Sequence, residues 1–320
     1  MLLYREPIPT SGISIAEMKF YVAVTDDSWY FHLRDLDPPP DEVNFWTPGL
    51  QAVPHVVGTP WLFKLHSPNN FIVGGGYFTH YSQMPLNMAW DAFEQKNGVS
   101  SLSELRRKIE KYRKQPVSIT NPIGCVVLSE PFIWPREQWM AMPSDWSPNI
   151  VARKQYDTES EPGKSLWSGV QSRLQKIVSV FQQQTTPSSL GKPHLIIPRL
   201  GQGGFRLVVI DAYARRCAVT AEKTLPALEA AHIRPFSEVQ AHDVRNGLLL
   251  RADIHRLYDA GYVTVTPNYE FLVSKKIHVD FSNGSDYYAL SGRSIRMPTS
   301  DTDRPDPQHL EYHATRVFKG

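Results

Sequence analysis

His232, Asn246, His255 and Asp259 fall at successive intervals of 14, 9 and 4 residues, and side chains of these types at this spacing can hydrolyse a phosphodiester. The reaction needs a water nucleophile, a base to deprotonate it, and a cation to steady charge on the phosphate and the leaving oxygen. An imidazole at a strand end can be the base, because its ordinary pKa of about 6.5 leaves it mostly neutral near neutral pH. His232 is that candidate. His255 and Asp259, four apart, share one face of a helix. Imidazole nitrogen with carboxylate oxygen makes a ligand pair for Mg, Mn, Ni or Zn. Asn246 precedes Gly247 and both donates and accepts, so it can tie the loop backbone and keep His232 aimed.

The surrounding text supplies elements to carry these groups. LEAAHIRP reads as a short strand ending at His232, the chain returns through Asn246-Gly247, and NGLLLRADIHRLYDAG runs from a strand into a helix bearing His255. YVTVTPNYEFLVS follows as a hairpin turning near Pro267-Asn268. Upstream, RLGQGGFRLVVIDAYARRCAVT predicts a helix from Phe205 to Arg216. Arg206, Arg215, Arg216 and Arg251 add positive charge around the motif, where it could meet a DNA backbone.

Further upstream, a helix is predicted from about Lys164 to Gln183, with Leu166, Val170, Leu174, Ile177, Val178 and Phe181 at helical spacing. QQQTTPSSLGKP beyond it has the composition of an inter-domain linker. The N-terminal half reads as short strands with proline punctuation, KFYVAVTDD, EVNFW, PWLFKLHSP, NFIVGGGYF and IGCVVLSEPF. They suggest a curved, mostly antiparallel sheet closing into a small barrel, with Gly74-Gly75-Gly76 marking a bulge or close backbone approach. One helix interrupts it, with Ser103 as N-cap and Leu105, Ile109 and Tyr112 on one face. Its other face is basic: from Glu104 to Lys114 there are six Lys or Arg against two Glu.

At 320 residues the chain exceeds the usual single-domain size, and its 41% hydrophobic content supports real cores. Lys plus Arg number 34 against 32 for Asp plus Glu, a net of +2, so overall charge neither demands nor excludes a polyanionic partner. Cys125 and Cys217 are far apart and form no CxxC, which argues against a disulfide scaffold or a cysteine-based zinc knuckle and for a reducing, cytoplasmic setting. Arg5, Glu6, Pro7 and Pro9 interrupt any signal peptide, and no apolar run is long enough to span a bilayer.

The order His, Asn, His, set in the words RRCAVT, LEAAHIRP, NGLLLRADIHRLYDAG and GYVTV, resembles the HNH endonuclease family, in a branch found among bacterial restriction endonucleases. The resemblance covers roughly Phe205 to Ser274. It implies a ββα-metal fold, with His232 as general base, Asn246 as the loop-organising asparagine and His255 as the metal-binding histidine of the helix. Ala231 departs from the pattern, since many members carry a His or Asp there as a first metal ligand. Three alternatives stay open: Asp259 compensates, Glu229 reaches the metal, or His232 itself ligates and another group is the base. The N-terminal strands FYVAVTDDSWY, DEVNFW and GGGYF resemble the PUA-like group with its EVE and SRA modules. That resemblance implies a reader of modified or flipped bases, with Trp29 and Trp46 as candidate stacking rings and the other aromatics filling a core.

The expected architecture is α+β with two domains. Residues 1–17 form an extension, 18–160 a β-rich PUA-like barrel with helices, 161–190 a helical spacer and linker, 191–290 the ββα-metal HNH domain, and 291–320 a tail docking on it. The expected activity is metal-dependent DNA endonuclease, in a modification-dependent restriction enzyme acting on DNA, with modified cytosine as the candidate mark, away from any membrane. The alternatives are a nuclease without modified-base specificity, such as a nicking or antiphage effector, and a non-catalytic DNA-binding protein with a degenerate HNH. A lone HNH site cuts one strand, so double-strand cleavage would imply a homodimer.

Overall fold

The computed structural model describes residues 18–51, 56–182, 201–239 and 242–320. The expected N-terminal extension, residues 1–17, and the linker stretch from 183 to 200 lie outside them, as do the side chains of Ile177, Val178 and Phe181. The strands are β1 (Lys19–Thr25), β2 (Glu42–Thr47), β3 (Pro60–Leu65), β4 (Phe71–Pro85), β5 (Pro122–Ile133), β6 (Met140–Ala141), β7 (Arg153–Asp157), β8 (Leu228–His232), β9 (Gly247–Arg251), β10 (Val263–Val265), β11 (Glu270–Val273) and β12 (Arg293–Ser294). The helices used below are α1 (Asp27–Arg34), α2 (Leu86–Phe93), α3 (Leu102–Arg113), α4 (Gly163–Gln182), α5 (Gln202–Ala212), α6 (Phe236–Val239) and α7 (Ala252–Asp259). None of the described helices is long and apolar enough to cross a membrane.

The chain divides into two compact units, each built from separated segments. The first takes its described residues from Met1–Asp27, Thr59–Gly75 and Phe132–Leu195, and the second from Ser28–Gly58, Gly76–Pro131 and Ile196–Gly320. In the first unit β1 pairs with β3 in parallel, from Tyr21↔Trp61 to Thr25↔Leu65, and with β7 antiparallel, from Lys19↔Asp157 to Ala23↔Arg153. Phe20, Val22, Leu62, Ile72, Trp134 and Tyr156 form its core, and α4 covers them with Leu166 and Val170. Those two residues are one helical turn apart, so the predicted amphipathic stripe is the buried face. The close approach expected at the glycine run occurs here, because a Cβ on Gly74 would collide with the carbonyl oxygen of Phe132.

In the second unit the remainder of β4 lies beside β5, and β5 pairs antiparallel with β2 from Glu42↔Ser129 to Thr47↔Gly124. Strand order is β4-β3-β1-β7 in the first unit and β2-β5-β4 in the second. Neither run closes on itself among the described residues, which form a mixed sheet with helices and no closed barrel. A barrel needs its terminal strands to pair, and among the described residues β7 pairs with β1 alone. Helix α3 follows the sequence with one correction: Ser101, not Ser103, is the N-cap, its hydroxyl accepting from the N–H of Glu104 at 3.3 Å. Glu104 reciprocates on the residue just before the cap, accepting from the N–H of Ser100 at 3.0 Å.

The histidine-bearing segment belongs to the second unit. β8 and β9 pair antiparallel from Leu228↔Arg251 to His232↔Gly247, and α7 follows β9 directly. Ile254 and Tyr258 are the buried face of α7, which leaves His255 and Asp259 on the adjacent stripe. Behind the strand pair lies α5, with Phe205, Leu207, Val209 and Ile210 buried. β10 and β11 form the expected hairpin, Val263↔Val273 to Val265↔Phe271. The C-terminal stretch packs on the same elements. The His313 ring lies 3.6 Å from the Tyr258 ring in a stacked arrangement, with Nδ1 2.9 Å from the Thr264 hydroxyl and Nε2 3.1 Å from the Tyr258 carbonyl oxygen. Burial pushes this imidazole down to about 4.

Candidate active site

His232 ends β8, and the bond that fixes the chain beyond it comes from Asn246. The Asn246 side chain is fully buried. Its Oδ1 accepts from the N–H of Arg234 at 2.9 Å and its Nδ2 donates to the Arg234 carbonyl at 3.0 Å. Its own carbonyl accepts from the N–H of Ile233 at 2.9 Å. One amide therefore satisfies both polar groups of a turn residue that has no ladder partner, a task for which a side chain with one donor and one acceptor is suited. The His232 ring stacks on Phe205 of α5, centroids 4.0 Å apart and planes 10° from parallel. Its Nε2 lies 3.0 Å from Nδ1 of His242. Burial first, then His242 and His255, pushes the His232 imidazole down to about 4, so the ring is neutral at neutral pH.

The α7 side is charged. His255 Nδ1 lies 2.7 Å from Glu229 Oε2 and its Nε2 lies 3.3 Å from Asp259 Oδ2. Both nitrogens of one imidazole thus face carboxylates. Burial raises the Asp259 carboxyl, His255 opposes that, and the Glu229 charge adds to it. Two carboxylates flanking one imidazole are a donor set that a divalent cation would relieve. Among the described residues no three of His, Cys, Asp or Glu converge as a formed metal-holding group. Imidazole nitrogen and carboxylate oxygen are donor types that a divalent ion accepts, but Glu229 and Asp259 meet opposite nitrogens of the His255 ring, so as placed the three do not converge on one point. Glu229, His232, His255 and Asp259 line a single cleft of about 610 Å³, joined by Lys96 and Arg206.

Comparison with known proteins bears on this segment. Residues 217–266 match the model of the HNH endonuclease family. The matched HNH segment contains the β8-β9-α7 unit and all four residues singled out by spacing. Comparison with curated proteins finds no match. A solved structure described as a modification dependent TagI restriction endonuclease aligns with 11% identity and a TM-score of 0.28, covering 92% of this chain and 81% of that one. So slight a likeness defines neither fold nor activity.

Other predicted positions fall differently around the HNH segment. Of the four arginines only Arg206 lines the cleft, donating to the Asp91 carbonyl at 3.4 Å. Arg215 is drawn to Asp211 and the Gln83 carbonyl, Arg251 is held by both oxygens of Asp253 at 2.6 and 2.8 Å, and Arg216 is not among the lining residues. Trp29 and Trp46 are 3% and 8% exposed, and their indole N–H groups donate to the carbonyls of Asn44 and Asn97 at 3.2 and 3.0 Å. Both rings pack inside their unit rather than along the cleft.

Three participants escaped sequence reasoning. From sequence Phe205 marks only a helix boundary, and His242, in the β8-β9 loop, follows no periodicity. Glu42 lies far off in the chain, on β2. Its buried carboxylate accepts from the N–H groups of Gly201, Gly203 and Gly204 at 3.1, 2.7 and 2.9 Å, capping the start of α5. Burial raises this carboxyl against the opposing pull of Lys96 and of the Gly204 and Gly203 N–H groups. A Cβ on Gly201 would overlap the carboxylate and one on Gly203 would meet the Ala92 carbonyl, which accounts for two of the three glycines of RLGQGGF. A conspicuous glycine run ahead of a helix was the available signal.

Proposed function

We propose that this chain is a metal-dependent DNA endonuclease that hydrolyses phosphodiester bonds. His232 is the general base, Asn246 organises its loop, and His255 and Asp259 hold the divalent ion, whether Mg, Mn, Ni or Zn, with Glu229 as the alternative carboxylate ligand. The observation that carries this is the shared cleft, in which a neutral imidazole and a carboxylate-flanked imidazole line the same space. A bound cation would neutralise charge on the phosphate and the leaving oxygen. His232 receives the water's proton because burial keeps its lone pair free at neutral pH. The same burial weakens it as a base, and the negative charge of a phosphodiester in the cleft acts in the opposite direction, raising its affinity for the proton. Arg206 adds a cationic contact for the DNA backbone.

The finer reading is a modification-dependent restriction enzyme whose N-terminal region reads modified DNA, such as modified cytosine, through a PUA-like fold. It works in the cytoplasm, where the buried free thiols Cys125 and Cys217 fit a reducing setting, and it dimerises if it breaks both strands. The burial of Trp29 and Trp46 favours the second reading, a nuclease without modified-base specificity. The test incubates the protein with plasmid DNA carrying 5-methyl-, 5-hydroxymethyl- or glucosylated cytosine, or none, under each metal, alongside His232→Ala. Cutting restricted to modified DNA supports the reader. Equal cutting of every DNA removes it, and binding without cutting under any metal supports a degenerate HNH instead. Light scattering with DNA checks the dimer, which a monomeric complex that cuts both strands would refute.

A further inference from the structure

His242 stands ten residues after His232 and four before Asn246, and the fold brings it directly onto the proposed base. The two imidazoles approach at 3.0 Å between Nε2 of His232 and Nδ1 of His242, a hydrogen-bond distance. Each ring is held in its plane by its own phenyl group. His232 stacks on Phe205, and His242 stacks on Phe236 of α6 with centroids 4.2 Å apart and planes 14° from parallel. Stacking fixes the planes and the hydrogen bond fixes rotation within them. Among the described residues no other hydrogen bond reaches either imidazole.

A single proton occupies the space between those two nitrogens, and its ownership decides what His232 can do. If His242 donates, His232 carries its proton on Nδ1, and neither of its nitrogens has a free lone pair. If His232 donates from Nε2, its Nδ1 lone pair is open. We infer that His242 is a positioning residue that accepts the Nε2 proton of His232 and so leaves Nδ1 of His232 to deprotonate the attacking water. The inference rests on the nuclease reading above. In the step, an O–H bond of water breaks and its proton bonds to Nδ1, while the oxygen keeps the electron pair and forms the bond to phosphorus; the bond from phosphorus to the leaving oxygen breaks, and that oxygen keeps the bonding pair and takes a proton from solvent. His232 becomes an imidazolium that still donates from Nε2 to His242, then returns its Nδ1 proton to solvent. Because the acceptor is a neutral imidazole rather than a carboxylate, the orientation is set without placing negative charge beside the base.

Two variants separate the hydrogen bond from the packing. His242→Phe keeps a ring against Phe236 but has no acceptor, and His242→Asn presents an amide oxygen near the position of Nδ1. We expect His242→Phe to lower kcat about 10- to 100-fold, the range typical of lost orienting partners, with KM for plasmid DNA changed by less than about twofold. His242→Asn should recover most of the loss. Wild-type kcat in His242→Phe, or equal loss in both variants, would overturn the assignment. A second measurement needs neither variant nor activity: long-range ¹H–¹⁵N spectra of the full chain read the tautomer of His232. The Nε2–H form supports the inference and the Nδ1–H form refutes it. Failure of the wild-type chain to cut under any metal would count against the nuclease reading alone, and the tautomer would still decide the role of His242.

Discussion

The two walls of the cleft are built on opposite electrostatic plans. On the β8 side, His232 and His242 are hydrogen-bonded to each other and stacked on Phe205 and Phe236 respectively, with burial holding both imidazoles low. On the α7 side, His255 lies between Glu229 and Asp259. The same residue type therefore serves two ends. Aromatic burial keeps an imidazole neutral, with a lone pair for a proton, whereas flanking carboxylates gather negative charge that suits a cation. What distinguishes the two histidines is the company each keeps, which is why their spacing alone could suggest roles but not their electrostatics.

The strongest way to break this contrast is to remove the proposed base. His232→Ala should lower kcat about 10²- to 10⁴-fold with DNA affinity intact, and plasmid nicking at wild-type rate would end the assignment. Next comes the anchor of the same wall. Asn246→Ala leaves the N–H and carbonyl of Arg234 without partners in a buried setting and should cost about 2–4 kcal/mol of stability. Urea unfolding measures it, and a loss below about 0.5 kcal/mol would mean that water replaces the amide. On the opposite wall Asp259→Ala should weaken divalent-metal affinity about tenfold, a modest figure because its side chain is 62% exposed. Calorimetric titration checks it, and unchanged affinity would remove Asp259 from the ligand set.

The smallest effect sharpens the contrast through its sign. His232 and the buried His313 are both held at about 4, below the unfolded value of about 6.5. Between those limits the unfolded chain binds protons that the folded chain does not, so this stability is present above about pH 6.5 and drains away as pH falls through the window. Asp259 is raised instead, so its contribution is present at low pH and lost as pH rises through its folded value. Unfolding midpoints across pH 4 to 7 should fall toward acid in the wild type. His313→Gln should flatten that slope if its new amide keeps the Thr264 contact, and an unchanged slope would mean that the imidazole titrates freely.

Much of the HNH segment was legible because its elements are local. A strand ending at a histidine, an Asn-Gly return and a helix repeating every four residues all follow from short-range periodicity, and the hairpin at residues 263–273 was marked by its turn residues. The tertiary partners were not legible. Phe205 and His232 meet because α5 backs the strand pair, and no window of sequence contains both. Trp29 and Trp46 have the composition of a stacking pocket, yet their N–H groups find backbone carbonyls inside the unit, which composition cannot foretell. Sheet closure likewise depends on which strand ends meet, and strand-forming runs do not encode that.

The Glu42 carboxylate also bears on how this protein can be taken apart. It caps α5 from a position 161 residues before Gly203, and α5 has no side-chain cap of its own. A fragment cut to the family-matching residues would lose that helix, and with it the ring on which His232 rests. One begun at Gly201 would keep the helix but leave its first N–H groups bare. During synthesis the order runs the other way: residue 42 leaves the ribosome long before the glycines do, so the acceptor is waiting when the helix arrives. The HNH-matching region is thus contiguous in sequence but dependent on the early part of the chain for its shape.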